Sequence, residues 1–255
     1  MSKYIKSFKT KAEYNTDIAG EHATPYTAYV EEEDKYYYGA KEPEMLEFEI
    51  PANPSGAFTP DIMVTEINMP VGVTSFNRFN SCTNIKKVSI PSGVTAIPAY
   101  AFSGCSNLTS VSIPNTVTTI GDIAFMDCTS LTSVTIPSGV TSISNMCFSG
   151  CTSLTSVNIP SGVTSIADDA FKSCQLTSIT IPSGVTTIGG GAFNGCSSLT
   201  SVTCLATTPP TLGLNVFKNN ASGRKFYVPA ESVETYKSAS RWSSYASYIE
   251  AIPSA

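Results

Sequence analysis

The stretch LTSVTIPSGVTSI, residues 131–143, decides the fold. It carries no charge and no aromatic ring. Leu131, Val134 and Ile136 approach the alternation of a strand with one face inward. Pro137 has no N–H for a ladder, so the strand stops there. Ser138 and Gly139 supply turn chemistry, with Gly139 free to take positive φ. Val140 to Ile143 is short and rich in β-branched residues, which predicts a second strand.

The same stretch recurs. Aligned on Ile-Pro, copies start at Ile90, Ile113, Ile136, Ile159 and Ile181, spaced 23, 23, 23 and 22 residues apart. The consensus is IPSGVTSI-x3-AF-x-G-C-x-S-L-T-S-V-T, and a worn copy starts at Met69. The strand pattern also fits Met45 to Pro51 and Val64 to Pro70 upstream, and Leu199 to Cys204 and Phe226 to Pro229 downstream. In the central copy Leu131, Val134, Ile136, Val140, Ile143, Cys147, Phe148 and Cys151 form the predicted interior. The Ala-Phe-x-Gly segment predicts a short helical turn that closes each coil. One coil cannot bury its own apolar face, so each must stack on the next. Equivalent residues then form columns about 4.8 Å apart.

The stretches LTSVTIPSGVTSI and AFSGC resemble the bacterial BspA-like leucine-rich repeats, 23-residue units of surface proteins from gut and oral bacteria. The resemblance covers Met69 to Thr203, and YVPAESVETYKSASRWSSYASYI resembles the C-terminal cap of such proteins. It implies a leucine-rich-repeat solenoid of β-rich α/β class. The coil would be right-handed and curved, with a parallel sheet on its concave face and a C-terminal capping helix. It also implies adhesion or protein binding at a cell surface, or in secreted form.

Three regions follow: 1–44 as an N-terminal cap or attachment segment, 45–229 as the solenoid with clear repeats over 69–203, and 230–255 as the capping helix. Val233, Tyr236, Trp242, Tyr245, Tyr248 and Ile249 suit a helix laid over the last coil; the competing reading makes Trp242 and the tyrosines a sugar platform. In the N-terminal segment, Thr10 to Ile18 predicts a helix and Tyr26 to Tyr38 a hairpin turning at Glu32-Glu33-Asp34. The acidic run Glu31 to Asp34 reads as a solvated turn rather than a metal site. This segment also resembles N-terminal segments of phage-like proteins from gut bacteria. That implies an alternative role as a structural or virion-associated spacer attached through residues 1–44.

Composition narrows the function. The net charge of −5 lacks the basic face that nucleic acid requires. No apolar run is long enough to span a membrane. The segment MSKYIKSFKTKAEY has the lysines of a signal peptide without its apolar core, so no export signal is read from it. Between Ile90 and Thr203 the only charges are Asp122, Asp127, Asp168, Asp169 and Lys172. The single histidine, His22, lies far from any serine or cysteine nucleophile pattern in the repeats, so a catalytic triad is not expected. Asp168-Asp169 are neighbours on a turn, and Gly189-Gly190-Gly191 fill the variable part of a repeat rather than a phosphate loop. We therefore expect no enzyme and no cofactor.

Cys82, Cys105, Cys128, Cys151, Cys174 and Cys196 share one repeat position, Cys147 replaces an alanine, and Cys204 replaces a strand isoleucine. Three readings compete. A buried thiol ladder needs only packing and a weak donor. Disulfides between rungs suffer from parallel side-chain vectors that hold the Cβ atoms apart. A metal site lacks both a C-x2-C pair and a nearby histidine.

The remaining surface is the outward side of the sheet. Its columns are Lys87, Ser110, Ser133, Ser156, Ser178 and Ser201, and beside them Ser112, Thr135, Asn158, Thr180 and Thr203. These eleven residues are the candidate binding face for a host or bacterial surface protein or glycan. The competing readings are plain solubility and ordered water of the ice-binding kind. The face lacks the aromatic and arginine anchors of tight interfaces.

Overall fold

The computed structural model describes residues 65–253 apart from 70 and 77, together with two short N-terminal strands. These are β1 (Val30–Glu31) and β2 (Asp34–Lys35), which pair antiparallel with Val30 opposite Lys35. The helix at Thr10 to Ile18, the rung at Met45 to Pro51 and His22 lie outside the described residues.

Each coil contributes two strands. The first face is built from β3 (Glu66–Asn68), β4 (Lys87–Ser89), β6 (Ser110–Ser112), β8 (Ser133–Thr135), β10 (Ser156–Asn158), β12 (Ser178–Ile181), β14 (Ser201–Cys204) and β16 (Lys225–Val228). The second is built from β5 (Ala96–Ile97), β7 (Thr119–Ile120), β9 (Ser142–Ile143), β11 (Ser165–Ile166), β13 (Thr187–Ile188) and β15 (Thr211–Leu212). Pairing within both faces is parallel and in register: Val134 lies opposite Val157, Ile179 opposite Val202, and Ile143 opposite Ile166. The repeat fixes this register, because a one-residue slip would turn every interior side chain outward.

The Ala-Phe-x-Gly segment is not the helical turn expected from sequence. It is a third ladder. The N–H groups of Tyr100, Phe102 and Gly104 donate forward to the carbonyls of Asp122, Ala124 and Met126 in the next coil, at 2.9, 2.7 and 2.7 Å. The intervening N–H groups of Ala101, Ser103 and Cys105 close local turns instead. This alternation needs left-handed backbone at both ends, as at Tyr100 (φ +62°) and Gly104 (φ +74°). A regular helix would direct all of these donors along its own axis and leave the next coil unbonded.

The interior is an aromatic spine. Phe79, Phe102, Phe125, Phe148, Phe171, Phe193 and Phe217 stack coil upon coil with centroids 5.3–5.7 Å apart and planes within 19° of parallel. Stacking at this separation avoids a face-to-face sandwich and is favourable beyond area burial. Leu131, Leu154 and Leu176 and the strand isoleucines fill the space beside it, all fully buried.

The spine ends where the rings turn. Phe226 and Tyr245 meet Phe217 edge-on, at 71° and 83°. A 3₁₀ turn at Ala230–Ser232 leads into helix α1 (Val233–Ser238), which buries Tyr236; a 3₁₀ stretch at Trp242–Tyr248 then buries Trp242. The Tyr236 hydroxyl donates to the Ala206 carbonyl at 2.8 Å, and the Trp242 indole N–H to the Pro210 carbonyl at 2.8 Å. The cap then continues as strand β17 (Ile249–Ala251), which pairs parallel with β16. The cap therefore covers the interior with aromatic rings and also occupies the next place on the first sheet face.

Candidate functional site

Lys87, Ser110, Ser112, Ser133, Thr135, Ser156, Asn158, Ser178 and Thr180 are all exposed on the first sheet face; Ser201 and Thr203 are half-buried. Pleat alternation puts them there, because Val88, Val134, Ile179 and Val202 between them point inward. Backbone pairing aligns Lys87 with Ser110, Ser133 with Ser156, and Ser178 with Ser201. The serine column is bracketed by charge. Glu66 pairs with Lys87 at one end, Nζ to Oε1 2.8 Å, and Lys225 pairs with Glu250 at the other. Between these pairs the face holds hydroxyl and amide groups only.

The charges inside the repeats sit elsewhere, on the third ladder. The Asp168 carboxylate accepts from the Gly190 N–H one coil on, as Asp122 accepts from the Asn145 N–H at 3.0 Å. Asp169 pairs with Lys172 at 3.2 Å. The two adjacent carboxylates are thus separately engaged. Gly189 is small for packing reasons: a Cβ there would lie 2.5 Å from the Ala167 carbonyl carbon.

All eight cysteines are free and buried. Five of them donate S–H to a phenylalanine carbonyl in the coil before: Cys105 to Phe79, Cys128 to Phe102, Cys151 to Phe125, Cys174 to Phe148 and Cys196 to Phe171, at 3.0–3.2 Å. Burial holds the thiols in the protonated form that such donation requires; it pushes Cys105, Cys151 and Cys196 up to about 12. One coil further on, Asn220 takes over. Its amide donates to the Phe193 carbonyl at 2.7 Å. Among the described residues no cluster of three or more His, Cys, Asp or Glu is placed to hold a metal ion.

Sequence periodicity does not reveal one further feature. A cleft of about 450 Å³ opens at the end of the third ladder, between the turn at residues 212–219 and the cap. Lys218, Arg224 and Arg241 line it, with Tyr245 and Leu214. The Arg224 guanidinium lies over the Tyr245 ring at 5.2 Å, and Arg241 donates to the Leu212 carbonyl. These basic residues belong to no repeat position, and only folding of the cap brings them together.

Comparison with known proteins agrees with this architecture. The sequence profile of the BspA type leucine rich repeat region matches in six copies, over residues 47–137, 72–200 and 118–245. A leucine rich cell surface protein from Faecalibacterium prausnitzii A2-165 is 31% identical, with a TM-score of 0.57 over 80% of this chain. The chain spans 56% of that protein's length. The T. pallidum leucine rich repeat protein is 29% identical, with a TM-score of 0.53 over 70% of this chain and 77% of its own. No curated protein matches the chain. Among the described residues no helix is long and apolar enough to cross a membrane.

Proposed function

The chain belongs to the BspA-type leucine-rich repeat family, and from that premise we propose that it is a non-catalytic interaction protein of a bacterial surface. It holds a protein or glycan partner against its first sheet face. One observation carries this reading: the serine column and its Thr/Asn neighbours run uninterrupted and uncharged across successive coils, closed at each end by an ion pair. Such a face offers a hydroxyl donor and acceptor at every coil, spaced for repeated weak contacts. It has no arginine or aromatic anchor between Lys87 and Tyr227, so affinity comes from many contacts and from multivalent display rather than from one hot spot. The cell-surface relative in Faecalibacterium supports the location.

The test compares the intact chain with a variant carrying Ser133→Arg, Ser156→Arg and Ser178→Arg. Both are screened for binding to mucus glycoproteins, matrix proteins and bacterial surface extract. The three positions are exposed, so circular dichroism should be unchanged while binding falls by about tenfold or more. Binding that survives the arginines would reject the face; its further loss on deleting residues 1–44 would make the solenoid a spacer.

A further inference from the structure

In each coil followed by another of the same kind, the third ladder is completed by its successor. The N–H groups of Gly191, Phe193 and Gly195 donate to the carbonyls of Leu214, Val216 and Lys218, at 2.8, 3.0 and 2.8 Å. The equivalent donors one coil on are the N–H groups of Asn215, Phe217 and Asn219. The backbone there has the same shape: φ is +58° at Asn215 and at Asn219, where Gly191 has +63° and Gly195 +75°. Yet these three N–H groups have no acceptor among the described residues. Asn215 and Asn219 are exposed, so the row is an open ladder edge facing solvent, of the kind that a further extended strand can pair with.

That row borders the cleft. Its volume falls in the range of ligand sites. Among its lining residues are Lys218, Arg224 and Arg241 but no aspartate or glutamate, in a chain whose net charge is −5. The Nε of Arg224 is buried without a partner among the described residues. Left-handed backbone at Asn215 and Asn219 brackets the stretch as it does in the coil before, where alternate amides face the next coil, and the Lys218 N–H between them closes a local turn.

We propose that this cleft binds a short extended acidic peptide segment, which adds itself as the missing rung of the third ladder. Its carbonyls accept from Asn215, Phe217 and Asn219 at two-residue spacing, as those of Leu214, Val216 and Lys218 do from the coil before. Its carboxylates face Lys218, Arg224 and Arg241; Arg241 gives one donor to the Leu212 carbonyl and Arg224 one to the Ala221 carbonyl, and their remaining donors serve the peptide. A compact anion would engage the cations but could not span three donors strung along five residues. The site is separate from the first sheet face and does not depend on the function assigned to it.

The probe is an acetylated, amidated pentapeptide of alternating glutamate and threonine, titrated into the intact protein. Its counterpart with lysine for glutamate, and heparin as a polyanion, serve as controls. The acidic peptide should bind about tenfold or more tightly than the lysine peptide. It should also slow amide exchange at Asn215, Phe217 and Asn219 selectively. Lys218→Gln, at an exposed position, and Arg224→Gln should each weaken it severalfold without lowering the melting temperature of the Lys218 variant. The sheet-face arginine variant should bind it normally, which separates this test from the previous one. Equal binding of both peptides, no binding of the acidic peptide, or heparin and peptide binding without slowed exchange would each overturn the proposal; the last outcome would leave only a charged patch.

Discussion

The thiol of Cys151 donates to the carbonyl oxygen of Phe125, 3.1 Å away in the preceding coil. That carbonyl already accepts the Cys128 N–H at 3.3 Å, so the sulfur serves its second lone pair. The cysteine column is therefore a column of donors as well as filling. If packing alone mattered, alanine would be the better replacement for a buried thiol. Because donation matters, Cys151→Ser should destabilise less than Cys151→Ala, which should cost about 1–2 kcal/mol. Urea midpoints of the two variants measure this. A serine variant less stable than the alanine variant would show that the thiol only fills space.

The same burial predicts an alkaline limit to stability. The folded thiols titrate far above the ordinary cysteine value near about 8.5, with Cys105, Cys151 and Cys196 at about 12. A raised folded pKa means that the native state keeps its proton while the unfolded chain loses it. The stabilisation is complete below the unfolded pKa and disappears as pH rises toward the folded one. Between pH 9 and 12 each such thiol removes about 1.4 kcal/mol per pH unit. Urea midpoints at pH 8, 9 and 10 should fall progressively faster. Replacing two column cysteines with alanine should flatten the slope. Below pH 8 the native thiols should also resist alkylation.

Phe148 has a stacked ring on each side, 5.4 Å from Phe125 and 5.5 Å from Phe171, and is fully buried. Phe148→Ala should cost about 3–5 kcal/mol through a cavity that the coils above and below cannot close. Phe76 meets its neighbours at 33° and 37° at the end of the spine, so Phe76→Ala should cost less. Equal losses at the two positions would refute the view that the stack is tightest in the middle.

Ile123 sits at φ +61°, in the left-handed region that β-branched residues rarely enter. Other coils place Gly191 or Asn215 at the same point. The side chain is half-exposed, so little packing offsets the strain. Ile123→Asn should stabilise the protein by about 1 kcal/mol, read as a raised thermal midpoint.

The inward set was legible because it repeats with the period of a strand: Leu131, Val134 and Ile136 point where alternation puts them. The third ladder was not. Ala124-Phe125 carries ordinary helical composition, and of the left-handed residues that bracket it, Ile123 and Asp127, only the aspartate is of a type enriched at positive φ. Its bonds also run between residues 21 to 23 apart, a distance at which local propensity carries no information. The outward Ser/Thr columns followed from the same alternation as the core. The basic cleft was hidden for a different reason: Lys218, Arg224 and Arg241 are scattered through the aperiodic end of the chain, and only the fold of the cap brings them together.

The phenylalanine spine advances by one ring, 5.3–5.7 Å, for every 22 to 24 residues from Phe79 to Phe217. From Phe125 to Phe193 each ring meets the ring before it and the ring after it and no other ring among the described residues. A stretch of gene encoding one coil can therefore be lost or duplicated by recombination between its near-identical neighbours without disturbing either end. The molecule is a ruler graduated in phenylalanines. Its lineage can adjust how far the two ends stand apart in steps of one graduation, while the chemistry at each end is inherited intact.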